Sequence, residues 1–281
     1  MRSISSAAIV AVPALFLSLL TGCGGSAGLG TGSTSAAVTG NWRLAAQAQP
    51  ASQSQVAAFT GSLQVIQAGG GALPSTVQGV VHAVALPSQQ ASTLCVSPTV
   101  AIPLTGSTAA DGTLTLTSSK FANGGVLTVR GSYDAASRTL KAAQIGVAGG
   151  SCGFAVQPAI AAQYQPIQGT YTGTFTSTGG SNLGVSAQLT QTSAPDPNGN
   201  YSLQGSATFA ANPCLGSTVV TSSTVSGGTV SFQYTDSTTG AAVSASGTYD
   251  PNAGTLTIGS YTLTGNTQAC SDTGTGVLQH Q

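Results

Sequence analysis

The chain says the same thing twice. Gly40-Asn41-Trp42 answers to Gly169-Thr170-Tyr171, Ser62-Leu63-Gln64-Val65 to Ala187-Gln188-Leu189-Thr190, and Gln78-Gly79 to Gln204-Gly205. Cys95 pairs off with Cys214, Gly131-Ser132-Tyr133-Asp134 with Gly247-Thr248-Tyr249-Asp250, and Cys152 with Cys270. The offset stays between 116 and 129 residues and the order is collinear, so a duplicated domain is expected. Within each copy apolar residues recur at period two. Val185, Ala187 and Leu189 alternate with Ser186, Gln188 and Thr190, and Val230, Phe232 and Tyr234 repeat the pattern. One face of a half-buried strand reads this way.

Turn chemistry cuts the second copy into strands near 169–177, 183–192, 201–210, 217–226, 229–235, 241–249, 255–264 and 273–280. Gly227-Gly228, Asp236 to Gly240 and Asp250-Pro251-Asn252-Ala253-Gly254 supply hairpin connections, and Asp111-Gly112 supplies one in the first copy. Ala51 to Ala58 is the one stretch with room for a helical turn or two. Eight antiparallel strands per copy fit an all-β fold, an up-and-down barrel or a sandwich. Closure suits a chain whose charged residues are only 4% of the total, with no glutamate, because it has few charges to guard a sheet edge.

Two resemblances extend this reading. Gly40-Asn41-Trp42 at the start of the first strand resembles the G-x-W of lipocalins and their calycin relatives, which implies a barrel-like shape and transfers no ligand. The second copy has Tyr171 in place of the tryptophan, and neither copy shows a clear basic residue on the last strand to cap that ring. At the other extreme of the chain, Leu20-Thr21-Gly22-Cys23 resembles the lipobox of bacterial prolipoproteins. Before it, Arg2 forms a short positive region, and Ala7 to Leu20 an apolar one, interrupted by Pro13 and too short to span a bilayer. The resemblance implies cleavage before Cys23 and covalent attachment of a diacylglycerol and an N-acyl chain there. The expected layout is a signal peptide (1–22), lipidated Cys23 with a flexible Gly/Ser/Thr-rich linker (23–39), and β domains at 40–163 and 164–281. Gly24 after the cysteine points to the outer membrane of the cell envelope.

A translocated chain meets an oxidising compartment. After Cys23 four cysteines remain, two per copy, at separations of 57 and 56 residues. Four cysteines allow three pairings, and the matched spacing favours Cys95 with Cys152 and Cys214 with Cys270. Neither copy has the C-x-x-C or adjacent histidine of a zinc motif, so no metal or other cofactor is expected.

Catalytic schemes lack parts. His82, in a strand expected over Val77 to Leu86, has no counterpart in the second copy, and His280 lies one residue from the end. Of the six aspartates, Asp111, Asp134, Asp196, Asp236 and Asp250 fall in expected turns, and Asp272 lies beside Cys270. Paired catalytic carboxylates must flank a cleft, and nothing here suggests a carboxylate raised by burial. Asp196-Pro197-Asn198-Gly199-Asn200 has its glycine too early for an EF-hand loop and no glutamate to follow. It reads as a polar turn.

The charges are uneven. Arg43, Lys120, Arg130, Arg138 and Lys141 lie in the first copy with Asp111 and Asp134, against four aspartates and no Lys or Arg in the second. Mutual attraction of the halves, or a first half facing an anionic membrane, are the functional readings. Drift among a few solvated charges is the plainer one, and no patch is dense enough for nucleic acid. The resulting expectation is a non-catalytic, lipid-anchored envelope protein in contact with its membrane and with an envelope protein or glycan. The alternative is a carrier holding a small apolar ligand among Leu189, Leu203, Phe209, Phe232, Tyr234, Tyr249 and Ile258 or their first-copy equivalents.

Overall fold

A computed structural model describes residues 38–48, 56–69, 74–84, 95–121, 124–210, 214–215, 217–220, 222–265 and 270–281. The leader, Cys23 and the linker up to Ala37 lie outside the described residues, as do residues 51–55 of the stretch considered for a helical turn. In that stretch Val56 and Ala57 are not helical and Ala58 opens a strand.

The described residues are all-β. The first copy contributes β1 (Gly40–Ala46), β2 (Ala58–Gln67), β3 (Ser75–Ala83), β4 (Ile102–Thr108), β5 (Thr113–Ser118), β6 (Val126–Asp134), β7 (Thr139–Ala148) and β8 (Phe154–Tyr164). Each pairs antiparallel with the next, and β8 returns to β1, with Trp42 facing Gly61 on one side and Gln163 on the other. This is a closed eight-stranded barrel, not a sandwich.

The second copy contributes β9 (Gln168–Ser177), β10 (Asn182–Gln191), β11 (Tyr201–Phe209), β12 (Ser217–Val220), β13 (Ser223–Ser226), β14 (Thr229–Asp236), β15 (Ala242–Asp250), β16 (Thr255–Thr264) and β17 (Asp272–His280). It closes in the same way, Tyr171 facing Ala187 on β10 and His280 on β17. Its fourth stave, expected as one strand over 217–226, is broken. β12 and β13 both lie between β11 and β14, but Ser206 faces Val219 while Tyr201 faces Val225, a slip of one residue. A bulge of this kind keeps the alternation of faces on both sides of the break.

Alternation fills both interiors. Trp42, Leu44, Phe59, Leu63, Leu104, Leu114, Leu116 and Ile145 are all at most 1% exposed inside the first barrel. The seven residues proposed to point inward in the second copy are all buried there, in one continuous core with Tyr171, Phe175, Tyr201 and Tyr261.

The disulfides Cys95–Cys152 and Cys214–Cys270 form, each with its Cα atoms 5.6 Å apart. Each ties the entry to its barrel's fourth stave to the entry to the last strand, at the same end in both copies. Cross-linking loops of this length restricts the unfolded chain and stabilises by about 4 kcal/mol on chain-entropy grounds.

Candidate functional site

The ends opposite the disulfides carry the polar features that set this molecule apart. At that end of barrel 1, Trp42 donates its indole N–H to Val38 O (2.8 Å) and meets Tyr133 edge-on, centroids 5.9 Å apart. Tyr133 donates its hydroxyl to Gln163 Oε1 (2.8 Å), and Gln163 Nε2 donates to Thr39 O (2.8 Å). Barrel 2 repeats this with different atoms. Tyr171 stands where Trp42 does, His280 packs edge-on to it at 5.1 Å, and His280 Nε2 lies 3.0 Å from Gln168 O.

No clear basic residue is expected on either last strand to cap its ring; the structure places the amide of Gln163 on Tyr133 in barrel 1 and the imidazole of His280 on Tyr171 in barrel 2. Gln163 and His280 are equivalent residues, 117 apart, facing Trp42 and Tyr171 across the closing strands, and each engages the carbonyl just before the matched Gly40 or Gly169. A search for positive charge misses Gln163, because an amide can engage the same carbonyl without one. The repeat offset was the signal that could have found it.

These ends build the junction of the two barrels. The turns of barrel 2 at 196–200 and 226–228 rest on the outer wall of β1, β2 and β3. Asn41, 2% exposed, grips Gly227 with both halves of its amide: Nδ2 donates to Gly227 O at 2.8 Å and Oδ1 accepts from Gly227 N at 2.5 Å. Ser226 Oγ donates to Thr60 Oγ1 at 3.2 Å. Gly227 has φ +56°, which favours glycine, and a Cβ there would collide with Thr60. Gly199 (φ +79°) approaches Val80 just as closely. A buried amide bonded on both sides fixes a unique docking geometry, since breaking it strands polar groups away from water.

Beside the junction lies a cleft of about 500 Å³, lined among others by Tyr133, Arg138, Gln163 and Tyr164 from barrel 1 and by Gln191 and Tyr201 from barrel 2. Arg138 has φ +54°, unusual for a side-chain-bearing residue, and holds the β6–β7 turn through its carbonyl, which accepts from Gln163 N at 2.8 Å. Tyr201 is 3% exposed, its hydroxyl has no hydrogen-bond partner among the described residues, and burial pushes its pKa up to about 12.

The titratable residues singled out in the sequence are distributed, not gathered. His82, on the outer face of β3, turns Nδ1 to Pro98 O (3.1 Å) and Nε2 to Asn198 O (2.6 Å), the latter on barrel 2. Both its nitrogens thus face carbonyls, and no hydroxyl that it could deprotonate. Asp196 Oδ1 accepts from the backbone N–H groups of Asn198 (2.9 Å) and Asn200 (2.8 Å), so its carboxylate holds the turn that docks against β3.

Asp236 closes β14, is buried, and accepts from Thr238 N and Thr239 N. Asp250 and Asp111 cap their turns through Asn252 N and Thr113 N, and the latter bond lowers the pKa of Asp111. Hydrogen bonds from Lys141, Ser137 and Ala136 N hold Asp134 down to about 2. At the other end of barrel 2, Asp272 accepts from Tyr261 (2.7 Å) and Ser177 (2.6 Å). Burial works to raise its pKa there, but these bonds and Thr273 N outweigh it and the pKa is lowered. Among the described residues no group of three or more His, Cys, Asp or Glu is placed to hold a metal ion.

No family model matches the sequence, and no curated protein matches it. One solved structure, EF1p2_mFAP2b bound to DFHBI, is similar at 16% identity, covering 41% of this chain and 94% of its own, with a TM-score of 0.31. That likeness is too slight to carry an argument. The closed barrels themselves fit the lipocalin-like shape that the G-x-W resemblance implies.

Proposed function

We propose that the chain is a lipid-anchored cell-envelope protein, held by acyl groups on Cys23, with a non-catalytic structural or interaction role. The observation that supports it is the engagement of the interior and of the ionisable groups. Both barrels are filled by their own side chains, the aspartates serve turns and strand ends, and His82 serves the junction. Such a molecule acts through its surface and through where it is held. The cleft at the junction is the opening that a small polar guest would use, since the barrel interiors are occupied by Trp42, Phe59, Phe232, Tyr234 and their neighbours.

The test is native mass spectrometry of the protein purified from its own envelope. The expected mass is that of a chain beginning at Cys23, with three acyl chains and two disulfides and nothing more. An intact leader or an unmodified Cys23 would overturn the anchor. Additional mass that Tyr201→Trp in the cleft abolishes would promote a ligand-binding role, and mass that survives that change would return the carrier reading to the barrels.

A further inference from the structure

One wall of barrel 1 is unlike the rest of the surface. Outward positions alternate along a strand, and on β8 they are Val156, Pro158, Ile160 and Ala162. Val156 is 62% exposed and Ile160 61%, with exposed Pro158 between them. The duplication provides a control. The equivalent strand of barrel 2, β17, turns Thr273, Thr275, Val277 and Gln279 outward, apolar at one position in place of four.

Cations that look scattered in the sequence converge on this stripe in register. Exposed Arg43 on β1 lies opposite Ala162. Exposed Arg130 on β6 faces Gln144 on β7, which faces Pro158. Between the Gln144 row and the row joining Thr139 to Ala162 lies Lys141, its side chain 70% exposed and its ammonium 2.9 Å from the Asp134 carboxylate. Barrel 2, which docks on β1 to β3, carries no Lys or Arg.

We infer that the β8 wall lies on an anionic phospholipid surface, with Val156, Pro158 and Ile160 at the boundary of headgroups and acyl chains and Arg43, Arg130 and Lys141 over phosphates. Apolar side chains flanked by basic ones suit that boundary, where one layer is greasy and the next is charged. A recess of about 500 Å³ opens at the Val156 end of the wall, beside Gly146 and Gly149, but its lining does not include Pro158 or Ile160, so the rest of the stripe lies on open barrel wall. The inference rests on the anchored reading. The composition of the 14 residues from Gly24 to Ala37 predicts a reach of about 20 Å, so an anchor at Cys23 keeps barrel 1 close to lipid. A contact too weak to recruit a free chain is then enough to orient a tethered one.

The test places a bimane label at Ile160→Cys or, as a control, at Thr275→Cys, in the acylated full-length protein reconstituted into phosphatidylglycerol vesicles containing doxyl lipid. Quenching at position 160 should exceed that at 275 by about threefold or more. It should fall toward the control in phosphatidylcholine, in about 0.5 M salt, and in the R43S/R130S variant. Equal quenching at both positions, or selective quenching indifferent to lipid charge, overturns the inference. So does pairwise cross-linking of the Ile160→Cys chains, which would assign the wall to a second copy. The mass of the same sample reports acylation separately. Should Cys23 prove bare, an N-terminal hexahistidine tether on nickel-chelating lipid holds the chain at the vesicle and the two labels still decide.

Discussion

The two barrels share a stave count, a disulfide and a closing strand, yet they fill themselves differently. Barrel 1 packs Trp42, Phe59, Phe121 and Tyr133 among leucine, isoleucine and valine, whereas barrel 2 buries Tyr171, Phe175, Tyr201, Phe209, Phe232, Tyr234, Tyr249 and Tyr261. Stacked and edge-on pairs run through it, Phe175 with Tyr261 at 4.9 Å and Phe209 with Tyr234 at 5.9 Å. The difference teaches that alternation fixes which positions face inward and leaves the means of filling them open, provided the volume is met. It also has a chemical consequence. Phenols bring hydroxyls that need partners or stay unpaired, so barrel 2 carries Tyr171, Tyr201, Tyr234, Tyr249 and Tyr261 in its core, whereas among the described residues the core of barrel 1 carries the phenol of Tyr133.

Four measurements would break or sharpen this contrast. The largest effect belongs to what the barrels share. C95A/C152A and C214A/C270A should each cost about 4 kcal/mol in chemical denaturation, and nearly the same amount, because the loops are of matched length. A clear inequality would show that one core resists loss of its clasp better than the other.

Next comes alkali. Burial raises the pKa of Tyr171, Tyr201, Tyr234 and Tyr261, with the bond to Tyr249 adding to it at Tyr171 and the Asp272 carboxylate at Tyr261. An unfolded tyrosine ionises near pH ~10, so above that pH the unfolded chain has released protons that the fold still holds. The stability these phenols contribute is whole below about pH 10 and drains as the pH climbs toward the folded values. In barrel 1 the phenol raised in this way is that of Tyr133, by burial against the opposing pull of Arg138. Between about pH 9 and 11.5, tryptophan fluorescence from Trp42 in barrel 1 should therefore change after the tyrosine absorbance and near-ultraviolet dichroism of barrel 2. Simultaneous change would sink the contrast.

Asn41→Ala should cost about 1–3 kcal/mol, because it strands the buried N–H and C=O of Gly227. The barrels should then tumble more independently in nuclear relaxation, while Thr170→Ala at the matching position of barrel 2 should fall within about 0.5 kcal/mol of zero. The smallest effect is expected at Tyr201→Phe, which deletes a buried hydroxyl without a partner and should stabilise barrel 2 by up to about 1 kcal/mol. A loss there would reveal a partner for that hydroxyl.

Much of this architecture was legible in the sequence, for local reasons. Strand limits followed from alternation and turn residues, and the disulfide pairing followed from equal spacing in two copies. Closure was not legible, because a half-buried strand in a barrel and one in a sandwich share the same pattern. The break between β12 and β13 was hidden too, since a one-residue slip among serines and threonines changes no composition. Asn41 was the costliest omission. An asparagine facing outward from a strand reads as solvated, and its partner lies 186 residues away with no local trace. The converging cations were missed for a related reason: Arg43, Arg130 and Lys141 are distant in the chain and meet only through register.

The grip on Gly227 also decides how far such a design can grow. One barrel's turn seated on the flank of its neighbour is a head-to-tail contact, the kind that builds open-ended fibres when every unit carries both halves. Here the receptor half is missing from the second unit: Thr170 replaces Asn41 and spends its hydroxyl on Gln188 of its own barrel.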